Sequence, residues 1–497
     1  MRAIPAFLLQ VAVSAALCAQ DVHELDRSLT EFTLANGLHF ILVERHESPV
    51  VYFHTYVNAG SMNDPGGQTG LAHLMERMAY KGTETIGSKN WADEKKALDA
   101  VEEIYDRLDA ERAKGARMDR GKVETLVTQL SVAIDRADLY AQPSAFQQIL
   151  LENGAQGMGT TAGIDAAEST CGLPSNKVEL WFLMESQRLS HPVFRQFYRE
   201  REAVLEEYRQ QVEAKPQARL IQSLLATAFA AHAYRNPVFG WPSDVFSLRS
   251  TDAKAFFEKY YVPGNIVIAM VGDVSGAEGK RLAEKYFGPI PGKPLPLPPH
   301  TLEPPQAGSK TAVLDLQTQP LTAVAYKRPD QYDKDDAVFD VIQGILAGGR
   351  GGMLYSDLVD EKRLAASVQA LSTYPNGKYP NLFTFMLLPA PAHTVEENET
   401  ALDGVLAKLK TKPVDAETLQ RAKTQARVGL IKVMASPNGL ARVLAIYAAN
   451  YGDWRKMYAN LDDLNKVSAA DVQRVALRYF VPMNRTVAYT ARPGVRQ

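Results

Sequence analysis

Cysteine is scarce in this sequence, whose 497 residues include only Cys18 and Cys171. Residues 1–19 have a basic start, an apolar run and small residues near their end, which is typical of a secretory signal peptide and too short for a membrane span. We therefore predict removal of residues 1–19 and export to the periplasm or the extracellular space. Cys171 then has no partner for an internal disulfide, so stability must come from burial of a core.

An excess of either charge is also lacking. The 55 Lys and Arg residues nearly balance the 57 Asp and Glu residues, and the net charge is −2. No electrostatic attraction to nucleic acid or to an anionic membrane is expected. An apolar content of 46% and a charged content of 23% are ordinary for a soluble globular protein. The length exceeds that of a single core and predicts roughly two to four domains.

Several catalytic motifs are missing as well. The sequence contains no serine nucleophile elbow and no Cys-x-x-Cys pair. The stretch 348–352 is rich in glycine, but the Lys-Ser/Thr of a phosphate-binding loop does not follow it. We interpret 348–352 as a flexible loop.

The first segment that carries a clear signal predicts β-structure. Asn36-Gly37 stands between two strand-like runs, which is a strong hairpin signal, and Val50–Val57 predicts a third, central strand. From Trp91 onward the sequence becomes rich in charge and alanine, with Gly115 near the middle. This composition predicts a solvated hairpin of two long helices, inserted at 91–140.

The two ends of the chain repeat each other. Residues 253–270 align without gaps on residues 472–489, and Tyr-aromatic-Val-Pro-x-Asn recurs in both at a helix-to-strand junction. The Pro-rich stretch 289–311 can be neither a helix nor a strand interior and predicts an extended linker. We predict an α+β fold with two homologous α/β-sandwich halves, 28–288 and 312–497, joined by this linker.

The stretch Gly70–Gly82 is predicted to be a helix that carries the chemistry, with Gly82 as its C-terminal cap. Its apolar residues recur at i, i+3, i+4 and i+7, and His73, Glu76 and Arg77 lie on a second face. A helix with His-x-x-Glu-His presents two zinc ligands and a carboxylate. Here Arg77 stands at the second His position.

A second acidic segment offers a distal ligand. Glu200 and Glu207 lie seven residues apart on one face of a predicted helix, whereas Glu206 points elsewhere. Taken alone, such a helix is more typical of a solvated face, so both interpretations stay open at this point. His54 and His232 have no second ligand at helical or strand spacing and are predicted to be structural.

The order of these motifs resembles that of the insulinase/pitrilysin family of inverted-motif zinc peptidases. The resemblance rests on His73-Leu-Met-Glu76 followed by Met-Ala-Tyr-Lys-Gly-Thr, on Leu173-Pro-Ser-Asn176, on Glu200-Arg-x-x-Val-x-x-Glu207 and on Glu361-Lys-x-Leu-Ala-x-Ser-Val368. It covers nearly all of the chain from residue 30 onward and is nearest to bacterial two-domain members related to mitochondrial processing peptidase. It implies a clam-shell chamber with unfolded peptides as the ligand class.

The resemblance also implies roles for individual residues. His73 is expected to be the first zinc ligand, Glu76 the general base, Glu207 the distal carboxylate ligand and Glu200 its support. Arg77 takes the place of the second His ligand, and a guanidinium stays protonated and has no lone pair to offer. We therefore predict that zinc, the cofactor of the family, binds weakly or not at all, and that Arg77 neutralises the carboxylates instead.

Positions that hold substrate in the family are altered too. Gly159, Ala167 and Ser169 stand at the places of an Asn, a Thr and a Tyr around an edge strand that holds substrate by β-addition, although Asp165 is retained. The resemblance therefore implies a weakened grip on substrate.

In the second half, Val359 and Ala366 stand where some members or partner subunits carry a substrate-clamping Arg and Tyr. Members without that pair work beside a chain that has it, so the resemblance implies a homo- or heterodimer with a second insulinase-like subunit. We predict a non-catalytic or weakly active subunit of a peptide-processing or peptide-degrading complex. Two alternatives stay open: an active zinc endopeptidase with an altered metal shell, and a structural or assembly protein on the same scaffold.

Overall fold

The computed structural model describes residue 25 and residues 27–491, so the predicted signal peptide lies outside the described residues. The strands in this part of the chain are β1 (Leu29–Thr33), β2 (His39–Glu44), β3 (Val50–Val57), β4 (Gln156–Ala162), β5 (Ala167–Pro174), β6 (Ile266–Gly272), β7 (Lys310–Asp315), β8 (Thr322–Arg328), β9 (Ala365–Tyr374), β10 (Asn381–Pro389) and β11 (Arg485–Ala491).

The α-helices lie mainly between these strands. In chain order they are α1 (Leu71–Met78), α2 (Trp91–Arg112), α3 (Arg120–Asp138), α4 (Ala145–Glu152), α5 (Val178–Ser190), α6 (Phe197–Tyr208), α7 (Pro216–Ala228), α8 (Pro242–Ser247), α9 (Ser250–Tyr260), α10 (Gly276–Tyr286), α11 (Asp336–Ala347), α12 (Val395–Thr411), α13 (Ala416–Met434), α14 (Pro437–Tyr451), α15 (Lys456–Lys466) and α16 (Ala469–Tyr479). Each helix in the described part of the chain is too short or too polar to cross a lipid bilayer.

The first six strands form one sheet in the order β1-β2-β6-β3-β5-β4. β1 and β2 pair antiparallel from Leu29↔Val43 to Thr33↔His39, which confirms the hairpin around Asn36-Gly37. β3 lies inside the sheet between β6 and β5, as predicted for a central strand. β4 is an edge strand, and its outer side faces the helix that follows β3.

The remaining strands form a second sheet in the order β7-β11-β8-β10-β9. The predicted repeat appears in the structure as α9, a 3-10 turn at Pro263–Asn265 and β6, matched by α16, a turn at Pro482–Asn484 and β11. The Asn at the end of each turn donates its side-chain amide to the carbonyl of the last helical Tyr, at 2.9 Å in the first copy and 3.2 Å in the second. The predicted α+β fold of two related halves is confirmed.

Each half lends a helix to the other. α14 from the second half packs on β3 and β6 of the first sheet, where Leu440 and Leu444 join a core with Ile41 and Val271. α7 from the first half packs on β7, β8 and β11 of the second sheet, where Leu224 is fully buried. The Pro-rich segment between the halves forms no helix or strand from 291 to 307.

Two local predictions concern the surroundings of the candidate site. The segment predicted as an inserted hairpin contains α2 and α3, which pack on each other on either side of Gly115. The helix predicted for Gly70–Gly82 is shorter, because α1 ends at Met78, so the prediction of Gly82 as its cap was wrong. Gly82 serves a tight turn instead: its φ is 91°, and a Cβ there would lie 2.2 Å from the Ile86 carbonyl oxygen.

Candidate functional site

α1 is positioned by an apolar face and by a carboxylate at its start. Leu71, Leu74, Met75 and Met78 are buried, so this face of the helix is fixed against the core. The Asp64 carboxylate accepts the backbone N–H groups of Gly70 and Ala72 at 2.8 and 2.9 Å, which satisfies donors that a helix N-terminus leaves unpaired. Burial raises the pKa of Asp64 to about 8, although these hydrogen bonds oppose the shift.

Glycine is required at the residue that precedes α1. Gly70 has φ 90°, and a Cβ there would lie 2.6 Å from the Phe239 carbonyl oxygen. This close approach brings the Phe239 ring against the His73 imidazole, with 4.9 Å between ring centroids. The motif Gly70-Leu-Ala-His73 is thereby held on two sides.

α6 supplies the distal carboxylates. It begins after Gln196, which has φ 60°, and it buries Phe197, Tyr198, Arg201 and Val204. Glu200 and Glu207 lie on the side that faces α1, whereas Glu206 is exposed and pairs with Arg209 at 3.3 Å. The sequence prediction for the direction of these three side chains is confirmed.

The five sequence-predicted residues are brought together, and a lysine joins them. The His73 imidazole lies between two carboxylates, with Nδ1 3.3 Å from Glu76 Oε2 and Nε2 3.3 Å from Glu207 Oε2. Arg77 bridges the two acids of α6: Nε donates to Glu200 Oε2 at 2.7 Å and Nη1 to Glu207 Oε2 at 3.3 Å. Lys81 Nζ donates to Glu200 Oε1 at 2.5 Å.

This site group contains as many basic side chains as acidic ones. Its members are His73, Arg77 and Lys81 on one side and Glu76, Glu200 and Glu207 on the other. Burial lowers the pKa of His73, but Glu76 and Glu207 outweigh burial and the net pKa is raised. Burial raises the pKa of Glu200, but Lys81 and Arg77 outweigh it and the net pKa is lowered. These shifts favour the charged form of both groups.

The candidate general base is also tied to the edge strand. Glu76 Oε2 accepts the backbone N–H of Ala162, the last residue of β4, at 2.8 Å. Burial raises the pKa of Glu76, but His73 and the Ala162 N–H outweigh it and lower the pKa overall. On the same strand the Gly159 carbonyl accepts the Tyr80 hydroxyl at 3.3 Å. Two backbone groups of β4 are therefore already occupied by side chains from the site helix and the turn after it.

The donor set can be tested against a zinc shell. A catalytic zinc site uses three protein ligands and one open position. His73 and Glu207 could each donate an electron pair to a metal ion. The side chain at the place of the missing ligand is Arg77, whose guanidinium cannot ligate a metal. A divalent cation would also lie beside a fixed positive charge. The residues of this site do not fit a three-ligand zinc centre.

Three residues that shape the site were not predicted from the sequence. Asp64 lies six residues before Gly70, which is not a standard capping distance, so no pattern marked it. Lys81 lies four residues after Arg77, and the helical spacing could have indicated it. Arg195 is 1% exposed and donates to the carbonyls of Lys81, Thr83 and Ile86 and to Glu94 of α2. Its contacts depend on the fold and left no local signal.

His54, His232, Val359 and Ala366 make no hydrogen bond or ion pair with the site group among the described residues. His54 Nε2 is 3.0 Å from Glu168 Oε2, and His232 Nδ1 accepts the Tyr234 N–H at 3.3 Å, so each has a partner in the framework. Val359 lies in a π-helical turn at Tyr355–Glu361, and Ala366 lies in β9, the edge of the second sheet.

Comparison with known proteins supports the resemblance to the insulinase/pitrilysin family. Residues 39–100 match the family model described as insulinase, peptidase family M16, and residues 247–426 match the model described as peptidase M16 inactive domain. The chain belongs to the insulinase family of peptidases. Within this family, it is 25% identical over 493 residues to the zinc protease PqqE of Helicobacter pylori, covering 97% of this chain and 96% of that protein.

A second relative is the probable mitochondrial-processing peptidase subunit beta of Arabidopsis thaliana. It is 24% identical over 462 residues, covering 90% of this chain and 75% of that protein. The fold is shared with the crystal structure of a protease from Helicobacter pylori, with a TM-score of 0.77, 21% identity and coverage of 93% and 99% of the two chains. A peptidase M16 inactive domain from Pseudomonas fluorescens gives a TM-score of 0.74, 17% identity and coverage of 94% and 99%.

Proposed function

We propose that this chain is an insulinase-family protein that binds unfolded peptides and has little or no zinc-dependent hydrolysis of its own. The observation that carries the proposal is the Arg77 guanidinium, which holds Glu200 at 2.7 Å and Glu207 at 3.3 Å at the place of the second His ligand. In this proposal His73 and Glu207 remain as two of three zinc ligands, and Glu76 remains as a general base without a metal-bound water to act on.

Charge supports this proposal. Removing a cation from between Glu200 and Glu207 would leave two partly buried carboxylates facing each other, which is costly. Arg77 meets that need by donating one N–H to each carboxylate, so in this proposal the fold persists without a metal. Zinc would place two positive charges beside the Arg77 guanidinium and the Lys81 ammonium, and that repulsion disfavours binding.

We further propose that the chain works beside a second insulinase-like subunit, as a homo- or heterodimer, after export to the periplasm or the extracellular space. The named relative from Arabidopsis thaliana is a subunit of a processing peptidase, and a structural neighbour of this fold from Escherichia coli is described as a periplasmic protease. The two occupied backbone groups of β4 and the residues Val359 and Ala366 weaken the grip of this chain on a peptide. A partner with His-x-x-Glu-His would supply both grip and hydrolysis.

The decisive experiment is Arg77→His. We expect the wild-type protein to contain far less than one zinc per chain, and Arg77→His to bind about one zinc, because three protein ligands complete the shell. Cleavage of a quenched fluorogenic peptide should rise at least about 10-fold with the metal. Arg209→His is the matched control, because Arg209 is exposed and, among the described residues, forms an ion pair only with Glu206, so it should change neither quantity.

The outcomes separate the alternatives. Stoichiometric zinc with full peptidase activity in the wild type would refute the proposal and favour an active endopeptidase with an altered metal shell. Zinc without peptidase activity in Arg77→His would place a second lesion in the strand that contains Gly159. Co-purification with a His-x-x-Glu-His chain without any gain in peptide cleavage would favour a structural role in assembly.

A further inference from the structure

A cavity of about 700 Å³ lies in the second half, among α11, α13, α14, α15 and the segment before α11. It shares no residue with the site group around His73, and no step proposed above uses it. Its walls combine aromatic rings from one side with carboxylates from the other. This combination indicates the class of ligand that the cavity can bind.

The aromatic wall consists of three tyrosines. Tyr447 and Tyr451, one helical turn apart on α14, stack with 5.3 Å between ring centroids, and Tyr332 meets Tyr451 edge to face at 5.2 Å. Their hydroxyls are engaged: Tyr332 donates to the Asn450 carbonyl, and Tyr447 accepts the Asn460 amide. The three rings line the cavity, and aromatic rings are a surface that organic cations prefer.

The opposite wall is acidic. Asp336 and Asp340 lie one turn apart on α11, and the buried Arg328 guanidinium bonds Asp336. Asp340 accepts the Ser372 hydroxyl at 2.6 Å and has no guanidinium or ammonium bonded to it among the described residues. The cavity lining contains four carboxylates and two ammonium groups. The carboxylates belong to Asp333, Asp336, Asp340 and Asp463, and the ammonium groups to Lys334 and Lys456.

The ion pairs of the described residues reach Asp336 and Asp463 but not Asp340. Lys466 lies 2.9 Å and Lys456 3.8 Å from Asp463, and Lys334 is exposed. Burial and then the neighbouring Asp340 raise the pKa of Asp336 to about 6, and burial raises the pKa of Asp340. Asp336 and Asp340 lie beside the single Arg328 guanidinium, so ionising both carboxyl groups is unfavourable. A cation in the cavity would lower the free-energy cost of ionising the second carboxyl group.

We propose that this cavity binds the cationic side chain of a peptide, an alkylguanidinium or alkylammonium group as in Arg or Lys. The cation lies between the Tyr447 and Tyr451 rings and the Asp340 carboxylate. The inference is independent of the state of the zinc site, because no residue is shared.

The test is calorimetric titration of the full-length protein with acetyl-Ala-Arg-Ala-amide. The neutral peptide acetyl-Ala-Gln-Ala-amide and the free cation n-butylguanidinium serve as comparison probes. We expect the Arg peptide to bind at least about 10-fold more tightly than the Gln peptide, and n-butylguanidinium to bind more weakly than the Arg peptide. If n-butylguanidinium binds as tightly as the Arg peptide or more tightly, the site would be assigned to free organic cations and the assignment to a peptide would be overturned.

Variants locate the binding. Asp340→Asn should weaken the Arg peptide at least about 10-fold, and Tyr451→Leu, which keeps an apolar side chain but removes the ring, about 3- to 10-fold. Asp453→Asn makes the same charge change at an exposed nearby residue outside the lining and should leave affinity unchanged. Three results would each overturn the proposal. The first is unchanged affinity in both Tyr451→Leu and folded Asp340→Asn, the second is equal affinity for the Gln and Arg peptides, and the third is no binding of the Arg peptide to the wild type.

Discussion

A single buried arginine links the inserted hairpin to the candidate site. Arg195 is 1% exposed, and its guanidinium contacts the Glu94 carboxylate of α2 at 2.7 Å and the Lys81 carbonyl at 2.5 Å. Lys81 in turn contacts Glu200. A hairpin that the sequence indicates only as a solvated arm therefore helps to position the residues after α1.

Arg195→Met is expected to destabilise the protein by about 3–5 kcal/mol, because Glu94 would keep a fully buried charge without a partner. Urea unfolding followed by far-UV circular dichroism measures this loss. Arg199→Met is the matched control four residues along, since its ion pairs with Asp135 and Asp138 are largely exposed, and it should cost less than about 1 kcal/mol. Equal costs for the two variants would contradict the assignment.

At the scale of the element, the Pro-rich segment is fixed by one acidic side chain. The Glu303 carboxylate accepts the backbone N–H groups of Ala230, Ala231 and His232, just after α7, at 2.8 to 3.0 Å. It also lies 3.2 Å from Lys327 of β8, whose Nζ is 3.7 Å from the centroid of the Phe229 ring. A segment without regular structure thus joins a helix end of the first half to a strand of the second.

This anchor predicts a pH dependence. Burial raises the pKa of Glu303, but the three N–H donors and Lys327 outweigh it and lower the pKa to about 2. A lowered carboxyl pKa gives stability that is present above the ordinary pKa near 4.5 and is lost as the pH falls toward 2. We expect wild type to lose about 2 kcal/mol from this group over that window, after allowance for solvent screening.

Urea unfolding at a series of pH values tests the anchor. The stability difference between wild type and Glu303→Gln should shrink as the pH falls from 5 toward 2. Glu284→Gln, an exposed acid on α10, provides the reference and should track wild type throughout. A constant difference between wild type and Glu303→Gln would show that the carboxylate charge is not what holds the segment.

At the scale of the whole molecule, the exchanged helices make the halves depend on each other. α14 covers Ile41, Val43, Ala269 and Val271 of the first sheet, and α7 covers Ala323, Ala325 and Ala488 of the second. Either half alone would expose an apolar sheet face to water. Burial of that face is worth about 25 cal/mol per Å², so separation of the halves is strongly opposed.

We therefore expect one cooperative thermal transition for the full chain, with a van't Hoff to calorimetric enthalpy ratio of about 1. Expressed alone, residues 28–288 should be insoluble or partly unfolded, and co-expression with residues 312–497 should restore a soluble complex. Differential scanning calorimetry and size-exclusion chromatography provide the measurements. Two well-separated transitions, or a soluble and folded 28–288 fragment, would show that the halves are autonomous.

Sequence alone determined the features that depend on local pattern. The Asn36-Gly37 hairpin, the strand Val50–Val57, the inserted helices and the repeated helix-turn-strand unit all follow from turn chemistry, periodicity and internal likeness. The face shared by Glu200 and Glu207 follows from helical spacing, and Arg77 is excluded as a metal ligand by its chemistry in any fold.

Tertiary structure decided what depends on contacts between distant segments. The exchange of α7 and α14, the capping of α1 by Asp64, the burial of Arg195 and the grouping of Asp340 with Tyr451 each join residues with no fixed spacing in the chain. α1 ends at Met78 because the turn that follows needs Gly82 in a left-handed conformation against Ile86. Local propensity cannot signal such features, since their free energy comes from burial and pairing that exist only once the chain has folded.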